Sequence, residues 1–265
     1  MLNVTLNPGI PGGQWARLRQ LCGHDEASIS DVGSVDLIAF LDRLLTSMPG
    51  TTVGPGKATD LAMCDCDRLC ASIYLEYFGE NIEGRFSCYE CREPFDLSFS
   101  LPTLIANLEA NRQSPAYGPD SYGVFTLPNG CRFRLPTAGD QRRLAGLAPD
   151  DAVAGLITQC IVEGEPVEDS LTLQTAMDQV GPLLDLDLEA GCPRCGQRQT
   201  VRFDIQSYLF RSLAYERQFL NYEVHSIAMA YGWAHQEILS LTREDRRTFV
   251  SLIQSARPAR RRAEN

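Results

Sequence analysis

The chain has 265 residues, 44% of them hydrophobic and 22% charged, and carries a formal net charge of −10. That is the balance of a globular protein with a sizeable core, while the negative charge weighs against a nucleic-acid binder, which needs a basic footprint. The sequence shows no apolar run long enough to span a membrane and no basic-then-apolar signal segment, so the expected compartment is the cytoplasm.

The opening stretch, rich in Gly and Pro up to Trp15, reads as a strand or turn leading into Ala16 to Leu21. Val35, Ile38, Leu41, Leu44 and Leu45 recur at helical spacing and predict an amphipathic helix over Asp31 to Leu45. A loop follows from Pro49 to Gly56, then a second helix from Asp60 to Phe78. There the period changes to two. Ile82, Gly84, Phe86 and Cys88, and after a turn Phe95, Leu97 and Phe99, alternate with polar neighbours as strands do.

Asn111 to Tyr122 reads as a surface loop, and Pro128-Asn129-Gly130 as the turn of a hairpin over Gly123 to Leu135. Helical pattern returns at Asp140 to Leu147 and Asp150 to Val162. Leu184, Leu186 and Leu188 then lead a strand into Cys192-Pro193-Arg194-Cys195-Gly196, and Val201, Phe203 and Ile205 lead one out. A helix from Ser207 continues to Tyr231 and breaks at Gly232. Glu237 to Leu241 reads as a short helix, and Thr242 as the N-cap of a last one through Ile253.

Two Cys-x-x-Cys turns therefore sit between strands, Cys88/Cys91 and Cys192/Cys195, in the layout of a zinc ribbon. Each supplies two sulfurs, and four thiolates fill a tetrahedral Zn2+ site. In the second turn Pro193 fixes the entry and Gly196 permits a left-handed backbone; the first turn has neither. The expected site is one structural zinc held by all four cysteines. Cys66 and Cys70, one helical turn apart, and Cys64 beside them could serve a second metal, or could be small core residues in a helix. Cys22, Cys131 and Cys160 are isolated and read as structural. His24, His225 and His235 are scattered, with no ligand pair among them, and no phosphate loop or nucleophile motif occurs. Nothing here asks for an enzyme.

The two halves share an order of features. Arg19 stands six residues before Asp25, as Arg134 does before Asp140, and each pair precedes helical sequence and then a knuckle. Phe95-Asp96-Leu97 follows the first knuckle and Phe203-Asp204-Ile205 the second. This reads as a diverged repeat whose halves share one zinc. The expected architecture is α+β: residues 1–110 and 111–206 as two helix-plus-ribbon halves, 207–254 as a C-terminal helical unit, and 255–265 as a basic disordered tail. Charge follows these divisions. From Ile161 to Ala190 there are eight acidic residues and no basic one, whereas Arg257, Arg260, Arg261 and Arg262 crowd the end. Such runs are solvated faces or docking surfaces.

Glu223-Val224-His225, Ala228, Tyr231-Gly232-Trp233, Glu237-Ile238-Leu239, Leu241, Arg246-Arg247 and Phe249 together resemble a C-terminal signature of baseplate-associated proteins of contractile phage tails and related injection systems. Cys-Pro-Arg-Cys-Gly and Phe203-Asp204-Ile205 match the same group. Leu18-Arg19, Gly23-His24-Asp25-Glu26 and Tyr77-Phe78-Gly79-Glu80-Asn81-Ile82 look like the T4-type baseplate hub assembly chaperone family, with a departure at Cys22, where the pattern has Thr. The resemblance implies a role in building the tail baseplate, as an assembly factor or a retained subunit, with baseplate or tail proteins as partners. His225, Tyr231, Trp233, Arg246 and Arg247 are the expected docking residues, since Trp, Tyr and Arg are common interface anchors. The alternative is a zinc-ribbon, helix-turn-helix DNA-binding regulator using Arg243, Arg246 and Arg247 on a unit of three short helices.

Overall fold

In a computed structural model that describes residues 1–29, 36–111, 118–164 and 170–263, the chain opens with a hairpin of β1 (Leu2–Ile10) and β2 (Gly13–Leu18). Ala16 and Leu18 alternate inward and are fully buried, so this stretch is strand up to Leu18. After α1 (Gly23–Ala27), α2 covers Leu37–Leu44, shorter than the pattern predicts. Asp36 caps it by accepting from the Ala39 N–H at 3.1 Å. Val35 lies outside the described residues.

A 3₁₀ turn at Ala58–Asp60 leads to α3 (Met63–Phe78). Then come the first ribbon, β3 (Asn81–Ser87) and β4 (Pro94–Ser100), and α4 (Leu101–Asn111). Residues 112–117, half of the loop expected over Asn111 to Tyr122, fall outside the described residues. The expected hairpin is β5 (Val124–Thr126) and β6 (Arg132–Arg134), followed by α5 (Ala138–Leu144) and α6 (Pro149–Cys160). The predicted helix stops at Cys160, and Ile161–Glu163 instead pairs with β6 as a third strand, β7. Next come α7 (Ser170–Val180), the second ribbon of β8 (Asp185–Gly191) and β9 (Arg198–Asp204), and α8 (Ile205–Tyr231). Gly232 ends α8 in the left-handed conformation at φ 70°. The chain finishes with α9 (His235–Ser240) and α10 (Arg243–Ala263). No helix of the described residues is long and apolar enough to cross a membrane.

α8 has 27 residues, close to the Ser207–Tyr231 helix expected, and α10 has 21, running past the expected Ile253. α10 also runs through most of the residues expected as a disordered tail.

The main core joins distant parts of the chain: Leu18, Phe40, Leu41, Leu69 and Ile73 pack with Ile205, Leu209 and Leu213. Phe40 meets Phe210 edge-on at 5.1 Å between ring centres, a favoured aromatic geometry. A smaller core of Phe125, Phe133, Leu173 and Val180 lies under the three-stranded sheet, and Ile227, Ile238 and Val250 join the last three helices. Buried carboxylates tie the layers. Asp65 accepts from the Asn7 and Gly9 N–H groups, holding α3 to β1. Asp67 accepts from the Leu184 N–H at 2.8 Å and from Gln206 Nε2 at 2.7 Å, holding α3 to the second ribbon and α8.

Both Arg-x₅-Asp pairs close in space. Arg19 grips Asp25 with two bonds of 2.7 and 2.8 Å, and Arg134 grips Asp140 with bonds of 2.5 and 3.0 Å. In each, the carboxylate also accepts the N-cap backbone N–H, from Cys22 and from Thr137. Burial alone would raise both carboxyl pKa values, but the arginine and N-cap bonds outweigh it and hold both below the usual range.

Candidate metal centre

The two ribbons turn at their knuckles in the same way. Cys88 N–H donates to Glu93 O at 2.9 Å and Arg92 N–H to Cys88 O at 3.0 Å; Cys192 N–H donates to Gln197 O at 2.8 Å and Gly196 N–H to Cys192 O at 2.9 Å. Gly196 takes φ 76°, the left-handed backbone expected of it, and Arg92 takes φ 60° at the corresponding place without being glycine. That is why the first knuckle is weaker as a sequence pattern and yet folds alike. Each ribbon also closes with the same bond at its base, Leu101 N–H to Glu80 O and Ile205 N–H to Leu184 O.

Counting from the knuckles, this register sets Phe99 against Phe203 and Leu101 against Ile205. The match of Phe95-Asp96-Leu97 with Phe203-Asp204-Ile205 lies four residues out of this register. The letters match there, but the hydrogen bonds do not. Phe99 and Phe203 in fact meet, edge-on at 5.1 Å.

The four expected sulfurs come together. Cys88 Sγ lies 3.6 Å from Cys195 Sγ, and Cys91 Sγ lies 3.7 Å from Cys192 Sγ. All four lie within 4.8 Å of one another. A tetrahedral ion with metal–sulfur bonds of about 2.3 Å needs sulfurs about 3.8 Å apart, so the spacing fits one metal ion with no disulfide. Cys88 and Cys192 are buried, Cys91 is half-buried and Cys195 is exposed. The sulfurs sit on a small apolar cluster of Phe95, Ala190 and Val201, with Phe86 and Leu97 at its edge.

Polar groups also cross between the ribbons. Gln199 accepts from the Tyr89 N–H at 3.0 Å and donates to Ser87 O at 3.2 Å, and Glu93 pairs with Arg194. Gln199 carries no motif and is legible only from the pairing of the two ribbons. Protonation follows the crowding of the thiols. N–H groups of Cys91 and Glu90 and the neighbouring thiols bring Cys88 down to about 7, against its burial. The Gln197 N–H lowers the Cys195 pKa, but burial and the other three sulfurs outweigh it and push it up to about 12. Burial raises Cys91. Four crowded sulfurs cannot all be thiolates without a cation among them, and a metal ion would supply that charge.

Cys64, Cys66 and Cys70 are buried away from this cluster. Burial holds the Cys66 and Cys70 thiols well above their ordinary pKa, and both belong to the main core. Cys64 lines the smaller core. Among the described residues, the only group placed to hold a metal is that of Cys88, Cys91, Cys192 and Cys195.

The expected docking residues divide. His225, Tyr231 and Trp233 are exposed, and Tyr231 and Trp233 pack together and against Phe249. Arg247 is 54% exposed and bonds Glu216 at 2.6 Å. Arg246 is not a surface residue. It is fully buried, with Nη2 2.8 Å from Glu26 and Nε 2.8 Å from Glu223. Arg243 beside it is also buried, bonds Glu26 at 2.9 Å and lies over the Tyr77 and Phe78 rings. These arginines bind α10 to α1 and α8 in place of presenting charge to a partner. No short motif announces the cluster, because Glu26 and Arg246 are 220 residues apart. No protein-family model, curated protein or solved structure matches the chain.

Proposed function

We propose that the protein is a non-enzymatic, protein-binding factor or subunit in the assembly of a contractile-tail or injection-system baseplate, built on a structural Zn2+. The observation that carries the metal part is the complete set of four thiols, spaced for one tetrahedral ion and drawn from two knuckles about a hundred residues apart. Such a set leaves no open position for water or substrate, which is the mark of a structural rather than a catalytic zinc. All-sulfur donors at this spacing favour Zn2+ over harder cations. The matching turns of the two ribbons support a diverged duplication, each half contributing one knuckle to the shared ion.

The baseplate assignment rests on the resemblance of the C-terminal signature and the first-half motifs. The exposed Tyr231, Trp233, His225 and Arg247 offer a place for a partner. The DNA-binding alternative has less support, because two of its three proposed contacts, Arg243 and Arg246, are buried in ion pairs.

Mass spectrometry of purified contractile particles, beside a tagged pull-down from assembling cells, tests the role. Fixed stoichiometry in particles makes the chain a retained subunit, and capture only with free baseplate proteins makes it an assembly chaperone. Capture with neither removes the proposal. Elemental analysis of the purified chain should find one zinc per 29.4 kDa.

A further inference from the structure

An oxidant in solution does not meet the ten cysteines equally. Cys64, Cys66, Cys70, Cys131 and Cys160 are enclosed in the chain, none more than 3% exposed. Cys22 is half-buried and its thiol donates to the Asp25 carboxylate at 3.3 Å. Cys195, at the second knuckle, is the exposed one. Its sulfur has the Cys88 sulfur at 3.6 Å, and the Cys91 sulfur has that of Cys192 at 3.7 Å. These two pairs use each of the four sulfurs once, and both join one ribbon to the other.

Other contacts hold the ribbons together beside the sulfurs. Gln199 of the second ribbon bonds the Tyr89 N–H and Ser87 O of the first, Glu93 pairs with Arg194, and Phe95 packs with Ala190 and Val201. Sulfurs on opposite ribbons therefore stay neighbours when a metal leaves.

We infer that the four-cysteine centre is a redox-responsive link, which a peroxide converts from a metal site into two disulfides, Cys88–Cys195 and Cys91–Cys192, that keep the ribbons joined. The inference rests on the reading of the four thiols as a Zn2+ site. The Cys195 thiolate, the accessible one, attacks hydrogen peroxide; its S–O bond forms as the O–O bond breaks, giving a sulfenic acid and hydroxide. The Cys88 thiolate then attacks the Cys195 sulfur, forming the S–S bond and expelling a second hydroxide. Two thiolates have lost two electrons to one peroxide. Only Cys91 and Cys192 remain as donors, too few to fill a tetrahedral site, and Zn2+ is released. A second peroxide oxidises that pair in the same way. A thiol reductant reverses both bonds and restores the ligands.

The test uses the full chain purified under reductant, with its zinc content measured before and after treatment with hydrogen peroxide. Zinc should appear in solution, read with a chromogenic chelator, in step with the loss of four of the ten thiols. Fragmentation mass spectrometry of the unreduced digest should then find Cys88 linked to Cys195 and Cys91 to Cys192. Amide exchange in β3, β4, β8 and β9 should be slower in the oxidised chain than in one stripped of metal by a chelator under reductant. A chain that purifies without zinc fails the metal reading, while its linked peptides still decide the pairing. Disulfides within a knuckle, or the opposite crossed pairing, overturn the inference. So does zinc that stays bound while other thiols are oxidised.

Discussion

Arg92 and Gly196 hold corresponding positions with the same left-handed backbone, at φ 60° and 76°. A side chain there costs about 1–2 kcal/mol, which glycine avoids. Arg92→Gly should therefore stabilise the protein by up to about 1 kcal/mol, and Gly196→Ala should destabilise it by a similar amount, both read from urea midpoints. Arg246 is a larger case. Replacing it with Met leaves Glu26 and Glu223 buried without their shared partner and should cost about 3–5 kcal/mol in the same measurement. Asp67 sets a pH dependence. Burial, partly offset by the bonds from Gln206 and Leu184, raises its pKa from 3.8 to about 6. A group with a raised folded pKa contributes stability that is full below its unfolded pKa and is lost as pH rises through the folded one. The stability contributed by Asp67 thus falls between about pH 4 and 6. Asp67→Asn keeps an acceptor for Leu184 N–H without the charge, so it should gain on the wild type as pH rises from 4.5 to 7. An unchanged difference across that range would count against this account of Asp67.

At the scale of elements, the ribbons and their knuckles were legible because strand alternation and Cys-x-x-Cys spacing are local signals. The spacings of Arg19 to Asp25 and of Arg134 to Asp140 were noted as matching features, but that each pair closes into a two-bond grip came from the structure. What escaped was set by distant chain. The helix expected to run to Val162 stops at Cys160, and Ile161–Glu163 pairs with β6 instead, since an open strand edge offers backbone bonds that the end of a helix lacks. Arg246 reads as a surface arginine until Glu26 and Glu223 are folded against it. The match of Phe-Asp-Leu with Phe-Asp-Ile fell out of register with the hairpins, because the letters agree while the strands are set by their knuckles. Cys192→Ser should release the metal and raise amide exchange in β3, β4, β8 and β9, while the core around Phe40 and Leu69 stays protected. Exchange rising equally in both regions would mean that the ribbons and the core unfold as one unit.

In the whole molecule, a metal held by both knuckles, as proposed, would tie together distant stretches of chain, with Cys91 and Cys192 separated by 101 positions. Such a link restricts the unfolded chain much as a long-loop disulfide does, for which the loop-closure model gives about 4–5 kcal/mol. The link also has a direction in time. A ribosome adds about 5–20 residues each second, so Cys88 and Cys91 emerge some 5–20 s before Cys192 and Cys195. In that interval the nascent chain owns half a ligand set and cannot close its clasp. Capture of the proposed metal would thus mark the moment when the second ribbon has been made, and a chain that stalls before it would be left without its clasp.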